Sequence, residues 1–227
     1  MGYSSAQHLI KAVVIAAAAS YVFVSAEKVM AHKEETGDDK VLPIVSVFNT
    51  TSKLWLYWEN VTKDNKLSEE EQTLYGAPNL DLSESCTFIK MFNISKVDFH
   101  FWWKTIMLGQ MVESHFYGEF FSEGGNKPLG SMNVTDLSET ERKPFETMKL
   151  VYRQGHCSVF FVTALQENAP TVCQLYLRGQ TVSKKPAEKC KEYYEKHCGT
   201  KIAVYNATCK REVNRAEKEL KKILPKS

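Results

Sequence analysis

Short runs of aromatic and β-branched residues, each bounded by polar, Gly or Pro residues, fill the middle of the chain and predict β-strands. The predicted strands are residues 53–61, 86–93, 97–103, 111–121, 129–134, 145–153, 157–165 and 171–178. A strong turn signal, Gly124-Gly125-Asn126 followed by Lys127-Pro128, separates two of them. Because no long helix lies between the eight strands, we expect antiparallel pairing, as a sandwich or an up-and-down barrel.

Helical periodicity returns only after the last of these strands. Helices are predicted over 185–198 and 210–223, and the second carries an apolar stripe at three-to-four spacing: Val213, Ala216, Leu220 and Leu224. This basic segment fits a solvated helix docked by its stripe, with contact to anionic membranes or heparin as the alternative. Residues 27–46 predict a charged lead-in with a short helix. No repeat or linker divides residues 27–227, so a single domain is expected there.

The first 26 residues have the pattern of a secretory signal peptide. Lys11 precedes an apolar run from Ala12 to Val24, and Val24-Ser25-Ala26 fits a small-residue cleavage site. The run is shorter than the roughly 20 residues that a membrane span needs, although an uncleaved signal anchor is the alternative. We therefore expect a secreted, extracellular protein with a signal peptide over 1–26 and no membrane anchor.

Five Asn-x-Ser/Thr sequons agree with passage through a glycosylating secretory pathway. Glycosylation is expected at Asn49, Asn60, Asn93, Asn133 and Asn206.

The charge balance excludes one class of partner. The chain has 29 basic and 27 acidic residues, a formal net charge of +2, and the signal segment holds one of those bases. Nucleic-acid binding requires a clustered positive surplus, so no nucleic-acid partner is expected.

Six cysteines, an even number in an exported chain, predict a disulfide framework, although the sequence alone allows fifteen pairings. A zinc site built from Cys190, His197, Cys198 and Cys209 is the alternative reading. If Cys173 points outward to a helix, Gln174 and Tyr176 point into a barrel, because neighbouring strand residues face opposite sides.

No catalytic motif is present. The chain lacks a Gly-x-Ser-x-Gly elbow, a His-Glu-x-x-His helix and a phosphate-binding Gly loop. We therefore predict no enzyme activity, no catalytic residues, no cofactor and no metal.

Three segments, in their order and spacing, resemble the tick salivary lipocalins, the histamine-binding family. These segments are Tyr152-x4-Cys157-Ser-Val-Phe-Phe-Val, Cys173-Gln-Leu-Tyr176, and Cys190-Lys-Glu-Tyr-Tyr with the later Cys209. The resemblance covers most of residues 50–210. It implies an all-β fold, an eight-stranded antiparallel lipocalin-like barrel over about 50–180, followed by a C-terminal helical segment over about 185–223.

The resemblance also implies the disulfide pairs. They are Cys86–Cys209 and Cys157–Cys190, which leave Cys173 and Cys198 to each other. Each bond would stabilise the fold by roughly 2–4 kcal/mol and two of them would hold the 185–198 helix on the barrel wall.

By resemblance, the chain is a monomer that sequesters a small host inflammatory mediator and so evades host defence. Histamine or another biogenic amine is the first choice, and a fatty acid or leukotriene is the alternative. A buried amine needs carboxylates and aromatic faces, whereas a fatty acid needs a long apolar cavity with a cation for its carboxylate. The amine pattern is incomplete here, because Gln174, Ser158 and Met148 stand where histamine binders of the family carry acids.

Alternation along the strands suggests which residues face the ligand. Glu146 shares its parity with Met148, Leu150 and Tyr152, so it could replace a missing acid. The predicted ligand-binding residues are Glu59, Glu146, Met148, Tyr152, Ser158, Phe160, Gln174 and Tyr176. Glu59 and Glu113 are weaker candidates that could instead be solvated. For the lipid alternative, His156, Arg153 and Arg178 would meet a carboxylate at the barrel mouth.

A host protein is the alternative partner. In that case the loops of the barrel would bind and block it, and the cavity would be unused. The aromatic run 99–103 could supply a contact surface. Phe99, Phe101 and Trp103 share one face of their strand and His100 and Trp102 share the other, so one aromatic face is expected outside, under a helix or at an interface.

Overall fold

A computed structural model describes residues 35–36, 42–61, 84–124 and 128–223 of the 227-residue chain. The predicted signal peptide, most of the predicted lead-in and the centre of the predicted turn after Gly124 lie outside these ranges. All the described residues belong to one unit, Lys33–Ser227. Within the described ranges, no helix combines the length and the hydropathy that crossing a membrane requires.

The described residues form ten strands and three α-helices. The strands are β1 (Glu35–Thr36), β2 (Leu54–Glu59), β3 (Ser85–Ile94), β4 (Asp98–Met107), β5 (Gln110–Phe121), β6 (Ser131–Asp136), β7 (Pro144–Gln154), β8 (Cys157–Ala164), β9 (Thr171–Arg178) and β10 (Ile202–Ala203). The helices are α1 (Val45–Phe48), α2 (Glu188–Cys198) and α3 (Cys209–Ile223), and a 3-10 helix spans Gly179–Lys184.

Strands β2 to β9 form a closed antiparallel barrel. Each pairs with the next along the chain, and β9 returns to pair with β2. The eight predicted strands correspond to these eight, and closure excludes the sandwich alternative. The prediction was less accurate at element ends, since β4 continues to Met107 and β6 begins at Ser131.

The helices that follow the barrel agree with the predicted segments except at their first residues. Helix α2 begins at Glu188 and not at 185, because Pro186 disfavours helical backbone at the residue before it. Lys185 accordingly has a φ of 66°. Helix α3 begins at Cys209, just after a turn in which the Asn206 Oδ1 atom accepts hydrogen bonds from the backbone N–H and hydroxyl of Thr208.

Both faces of the barrel wall are apolar, because helices cover part of the outside. On β9, Tyr176 packs in the interior cluster, whereas Cys173, Leu175 and Leu177 belong to the outer cluster beneath the helices. This double burial explains why β9 is a nearly continuous apolar run, where alternation alone would have produced polar residues at every second position.

Three disulfides fix the C-terminal helices to the barrel. The bonds join Cys86 to Cys209, Cys157 to Cys190, and Cys173 to Cys198, the same pairs that the resemblance implies. The Cα atoms of these pairs are 5.1, 6.5 and 5.6 Å apart. The cysteines of the alternative zinc site are therefore disulfide-bonded and not thiolate ligands.

Helix α1 fills one end of the barrel. The Phe48 ring stacks on Phe99 at 4.7 Å and on Phe160 at 5.5 Å between ring centroids. Arg178 holds this helix in place, since its Nη2 atom donates hydrogen bonds to the backbone oxygens of Val47 (2.7 Å) and Ser46 (3.1 Å). The α1 end is thus closed by packed aromatic rings, which leaves the opposite end of the barrel for a cavity.

Candidate functional site

A cavity of about 420 Å³ lies in the barrel end opposite α1. This volume falls within the range of roughly 300–1,000 Å³ that is usual for small-molecule sites. The described residues that line it are Glu59, Val61, Glu84, Trp103, Thr105, Met107, Val112, Ser114, Phe116, Phe145, Glu146, Val162, Ala164, Ala169, Pro170, Val172 and Gln174. Most are apolar or aromatic, and the charged ones among them are all glutamates.

Three carboxylates from different parts of the chain therefore share one cavity. Glu59 ends β2, Glu84 immediately precedes β3, and Glu146 lies near the start of β7. Glu59 is 8% exposed. None of the described residues that line the cavity is Lys, Arg or His. Carboxylates in an apolar enclosure produce a negative potential, which is more favourable for a cation than for an anion.

Glu59 faces inward because β2 is irregular. Its pairing with β9 shifts register between Leu56 and Trp58, which places one extra residue in β2. Leu54 and Leu56 face the interior, and strict alternation would put Glu59 outside. The shift returns it to the inner face, opposite Gln174 of β9.

Glu84 was not predicted. It shares its parity with Cys86, which faces outward to the disulfide with α3, so alternation would also have placed Glu84 outside. The pairing of β3 with β4 shifts register between Ser85 and Phe88, and Cys86 has a φ of 56°. These backbone features turn Glu84 into the cavity, and no residue pattern signals them.

Gln174 lines the cavity, and Tyr176 lies behind it in the buried interior. The Tyr176 hydroxyl donates a hydrogen bond of 2.9 Å to the Oε1 atom of Gln174, and Tyr176 is fully buried. Burial raises the pKa of the Tyr176 hydroxyl well above its usual value, and the negative charges of Glu146, Glu59 and Glu84 raise this pKa further. The Tyr176 hydroxyl is therefore neutral at physiological pH, and it lies near enough to all three carboxylates for their charges to raise its pKa.

Aromatic rings form one wall of the cavity. The Phe116 ring lies 5.4 Å from that of Phe145, edge to face, and 6.4 Å from that of Trp103. Such faces attract cations through their quadrupoles. The cavity thus combines aromatic faces with carboxylates, which are the two features expected for amine binding.

The structure brings together some of the predicted ligand-binding residues and separates others. Glu59, Glu146 and Gln174 line the cavity. Met148, Phe160 and Tyr176 are buried in the interior cluster and do not line it. Ser158 is also buried but is not a lining residue, and it pairs with Arg153, whose guanidinium contacts Ser46 of α1.

The placement of Tyr152 in the cavity was wrong. The pairing of β7 with β8 shifts register between Leu150 and Tyr152, so Tyr152 faces outward. There its ring stacks on Tyr193 of α2, at 4.5 Å between centroids. Glu113 also lies outside, in an ion pair with Lys104, while its neighbours Val112 and Ser114 line the cavity.

The basic residues expected at the mouth for a lipid carboxylate lie at the other end of the barrel. Arg178 and Arg153 contact the α1 segment. His156 sits in the turn between β7 and β8, and its backbone oxygen accepts a hydrogen bond from the Arg178 N–H at 3.0 Å. A carboxylate at the cavity would not meet these three residues.

Comparison with known proteins gives one family match. A family model described as tick histamine binding protein matches residues 44–211. No curated protein matches the chain.

Two solved structures are similar at low identity. The siderocalin Ex-FABP is 9% identical with a TM-score of 0.42, over 64% of this chain and 82% of its own. A deswapped triple mutant of bovine odorant binding protein is 13% identical with a TM-score of 0.39, over 64% of this chain and 83% of its own.

Proposed function

This chain belongs to the tick histamine binding protein family, and from that premise we propose that it is a secreted, salivary protein that sequesters a small protonated amine. Histamine or another biogenic amine is the proposed ligand, and withholding it from the host is the proposed role. The family and the barrel support small-molecule binding, and the choice of ligand is our proposal.

The observation that carries this choice is the set of three glutamates in one aromatic-walled cavity. A buried ammonium loses its hydration and needs carboxylates to replace it. Glu59, Glu84 and Glu146 provide them, and Trp103, Phe116 and Phe145 offer ring faces for cation–π contact. Glu59 and Glu84 thus compensate for the acids that the sequence lacks at Gln174 and Ser158.

The same cavity is a poor match for a fatty acid or leukotriene. Its walls are apolar, but its described charged residues are all acidic, and they would repel a ligand carboxylate. We therefore treat lipid binding, and inhibition of a host protein through the loops, as outcomes that the binding experiment distinguishes.

The test is direct binding to the protein secreted from a glycosylating host. Native mass spectrometry with histamine, serotonin and leukotriene in separate samples is expected to show a saturable one-to-one adduct with an amine at low micromolar concentration. The intact mass also reports whether the mature chain begins at Glu27. Binding of leukotriene alone would replace the amine proposal with the lipid one, and no adduct with any of the three would favour a protein inhibitor.

Exchanging Gln174 for glutamate is expected to strengthen amine binding by about tenfold, the effect of one additional charge-assisted hydrogen bond. Gln174 lines the cavity opposite Glu59, so the new carboxylate would face the bound ammonium. Isothermal titration calorimetry with histamine measures the change, with Gln154→Glu on the distant end of β7 as the matched control. Unchanged affinity in Gln174→Glu would remove this position from the ligand contacts.

A further inference from the structure

A row of aromatic and histidine rings lies outside the barrel, on the opposite face of the wall from the cavity. We call it the outer aromatic patch; it consists of Phe92, His100, Trp102, His115 and Tyr117. His115 is central, since its ring stacks on Trp102 at 4.6 Å and meets Phe92 edge to face at 5.4 Å. His100 extends the row, at 5.8 Å from His115 and 5.0 Å from Tyr117.

The patch is partly open to solvent. Phe92 is 65% exposed, which is unusual for a side chain of its size, and the other four rings are half-buried. Burial lowers the pKa of His115, and the neighbouring His100 lowers it further. Burial raises the pKa of the Tyr117 hydroxyl, as do Asp98 and Glu119. A partly exposed aromatic surface of this kind can be covered by another group with apolar faces.

The sequon at Asn93 lies beside this patch. The pairing of β3 with β4 shifts register between Met91 and Asn93, so Phe92 and Asn93 both face outward, and Asn93 lies opposite His100. Asn93 is exposed, and its Oδ1 atom accepts a hydrogen bond of 2.9 Å from the Ile94 N–H. No described residue forms a hydrogen bond with its Nδ2 atom, which is the atom that carries an N-linked sugar.

Asn60 provides the contrast among the sequons. Its Nδ2 atom donates to the backbone oxygen of Cys198 at 3.3 Å, and its Oδ1 atom accepts from the Cys173 N–H at 2.8 Å. The Asn60 amide therefore bridges β9 and α2 beside their disulfide. A sugar on the Asn60 Nδ2 atom would replace one of its two hydrogens where that atom bonds the α2 backbone, whereas no described residue bonds the Asn93 Nδ2 atom.

We propose that Asn93 carries an N-linked glycan whose first sugars lie across the outer aromatic patch, and that Asn60 stays unmodified. Attachment forms a bond from Asn93 Nδ2 to the anomeric carbon of an oligosaccharide carried on a lipid diphosphate. Nδ2 gives up one proton, and the lipid diphosphate leaves with the electron pair of the broken bond. The C–H-rich faces of pyranose rings pack on aromatic rings, so the glycan removes the exposed face of Phe92 from water. This inference rests on the proposed secretion.

The experiment begins with the full chain secreted from cultured eukaryotic cells. Peptide mass spectrometry measures occupancy at each sequon, with Asn93 expected to be occupied and Asn60 empty. Asn93→Gln is the test variant because Ser95→Ala would also remove the Ser95 hydroxyl, which bonds Asp98 in the β3–β4 turn. Asn49→Gln, at another exposed sequon, is the matched control.

The patch contact is tested by combining variants. Asn93→Gln is expected to lower the Tm by about 3 °C in the parent protein, and by less than about 1 °C in a Phe92→Ala background. Asn49→Gln is expected to have the same small effect in both backgrounds. An equal loss from Asn93→Gln in both backgrounds would mean that the glycan does not lie on the patch, and would overturn the proposal.

Other outcomes distinguish failure of the glycan proposal from failure of the proposed secretion. Occupancy at other sequons with Asn93 empty overturns this inference alone, and a secreted chain without any glycan overturns it while leaving secretion intact. Failure to secrete overturns both. A dimer of the glycosylated protein that Phe92→Ala dissociates would put a second copy on the patch and also overturn the inference.

Discussion

Replacing Glu59 and Glu146 together by glutamine is expected to weaken amine binding by about two orders of magnitude. Each substitution keeps the side-chain volume and removes one negative charge from the cavity. Loss of the carboxylate partners of a desolvated cation costs roughly 2–5 kcal/mol, and two orders of magnitude correspond to about 2.7 kcal/mol. Isothermal titration calorimetry with histamine, or with whichever amine binds in native mass spectrometry, measures the loss.

The matched control for this pair is Glu113→Gln. Glu113 lies on the same barrel wall as the cavity residues Val112 and Ser114 but faces outward to Lys104. The control should bind the amine as the parent does, because the cavity keeps its charge. Equal losses in Glu113→Gln and in the double variant would show that the glutamates act through the overall field of the protein and not by contact with the ligand.

The barrel was predictable because its signals are local and repeated. Each strand is a short apolar run between turn residues, and eight such runs without intervening helices leave few antiparallel arrangements. Residues 171–178 illustrate the limit of this reasoning. The apolar residues on both faces of β9 predict a buried strand, but only the structure shows that α2 packs against the outer face.

The cavity was less predictable because register shifts decide which side chains enter it. A register shift in β2 brings Glu59 to the inner face. A second shift, at the start of the pairing of β3 with β4, turns Glu84 inward. A third, in β7, sends Tyr152 out to α2. After each shift, every later residue of the strand faces the opposite side from the one that alternation predicts. An extra residue in a strand has no distinct signature in a single sequence.

The two ends of the barrel could not be told apart from the sequence either. Arg153 and Arg178 lie near the ends of β7 and β9, and a basic residue at a strand end fits a ligand site as well as a structural one. In the structure their guanidinium groups bind the α1 segment, whose position depends on contacts far along the chain. The cavity with its glutamates and the arginines that hold α1 thus lie at opposite ends of one barrel.

Removing the disulfide between Cys86 and Cys209 is expected to have the largest effect on stability. This bond closes a loop with a sequence separation of 123, against 25 for Cys173–Cys198. In the chain-entropy description, the loss is about 5 kcal/mol for the long loop and about 3.5 kcal/mol for the short one. Denaturant unfolding of Cys86→Ala/Cys209→Ala and Cys173→Ala/Cys198→Ala measures both losses.

The long-loop bond also connects α3 to the cavity. Cys86 lies two residues from Glu84, and its bond to the first residue of α3 holds the start of β3 in the conformation that turns Glu84 inward. The Cys86→Ala/Cys209→Ala variant should therefore lose hydrogen-exchange protection across Cys209–Ile223 and also bind the amine more weakly. The Cys173→Ala/Cys198→Ala variant should lose stability with a smaller change in affinity. Full protection of α3 without the bond would show that Val213 and Ala216 alone hold the helix, and that the disulfide does not position Glu84.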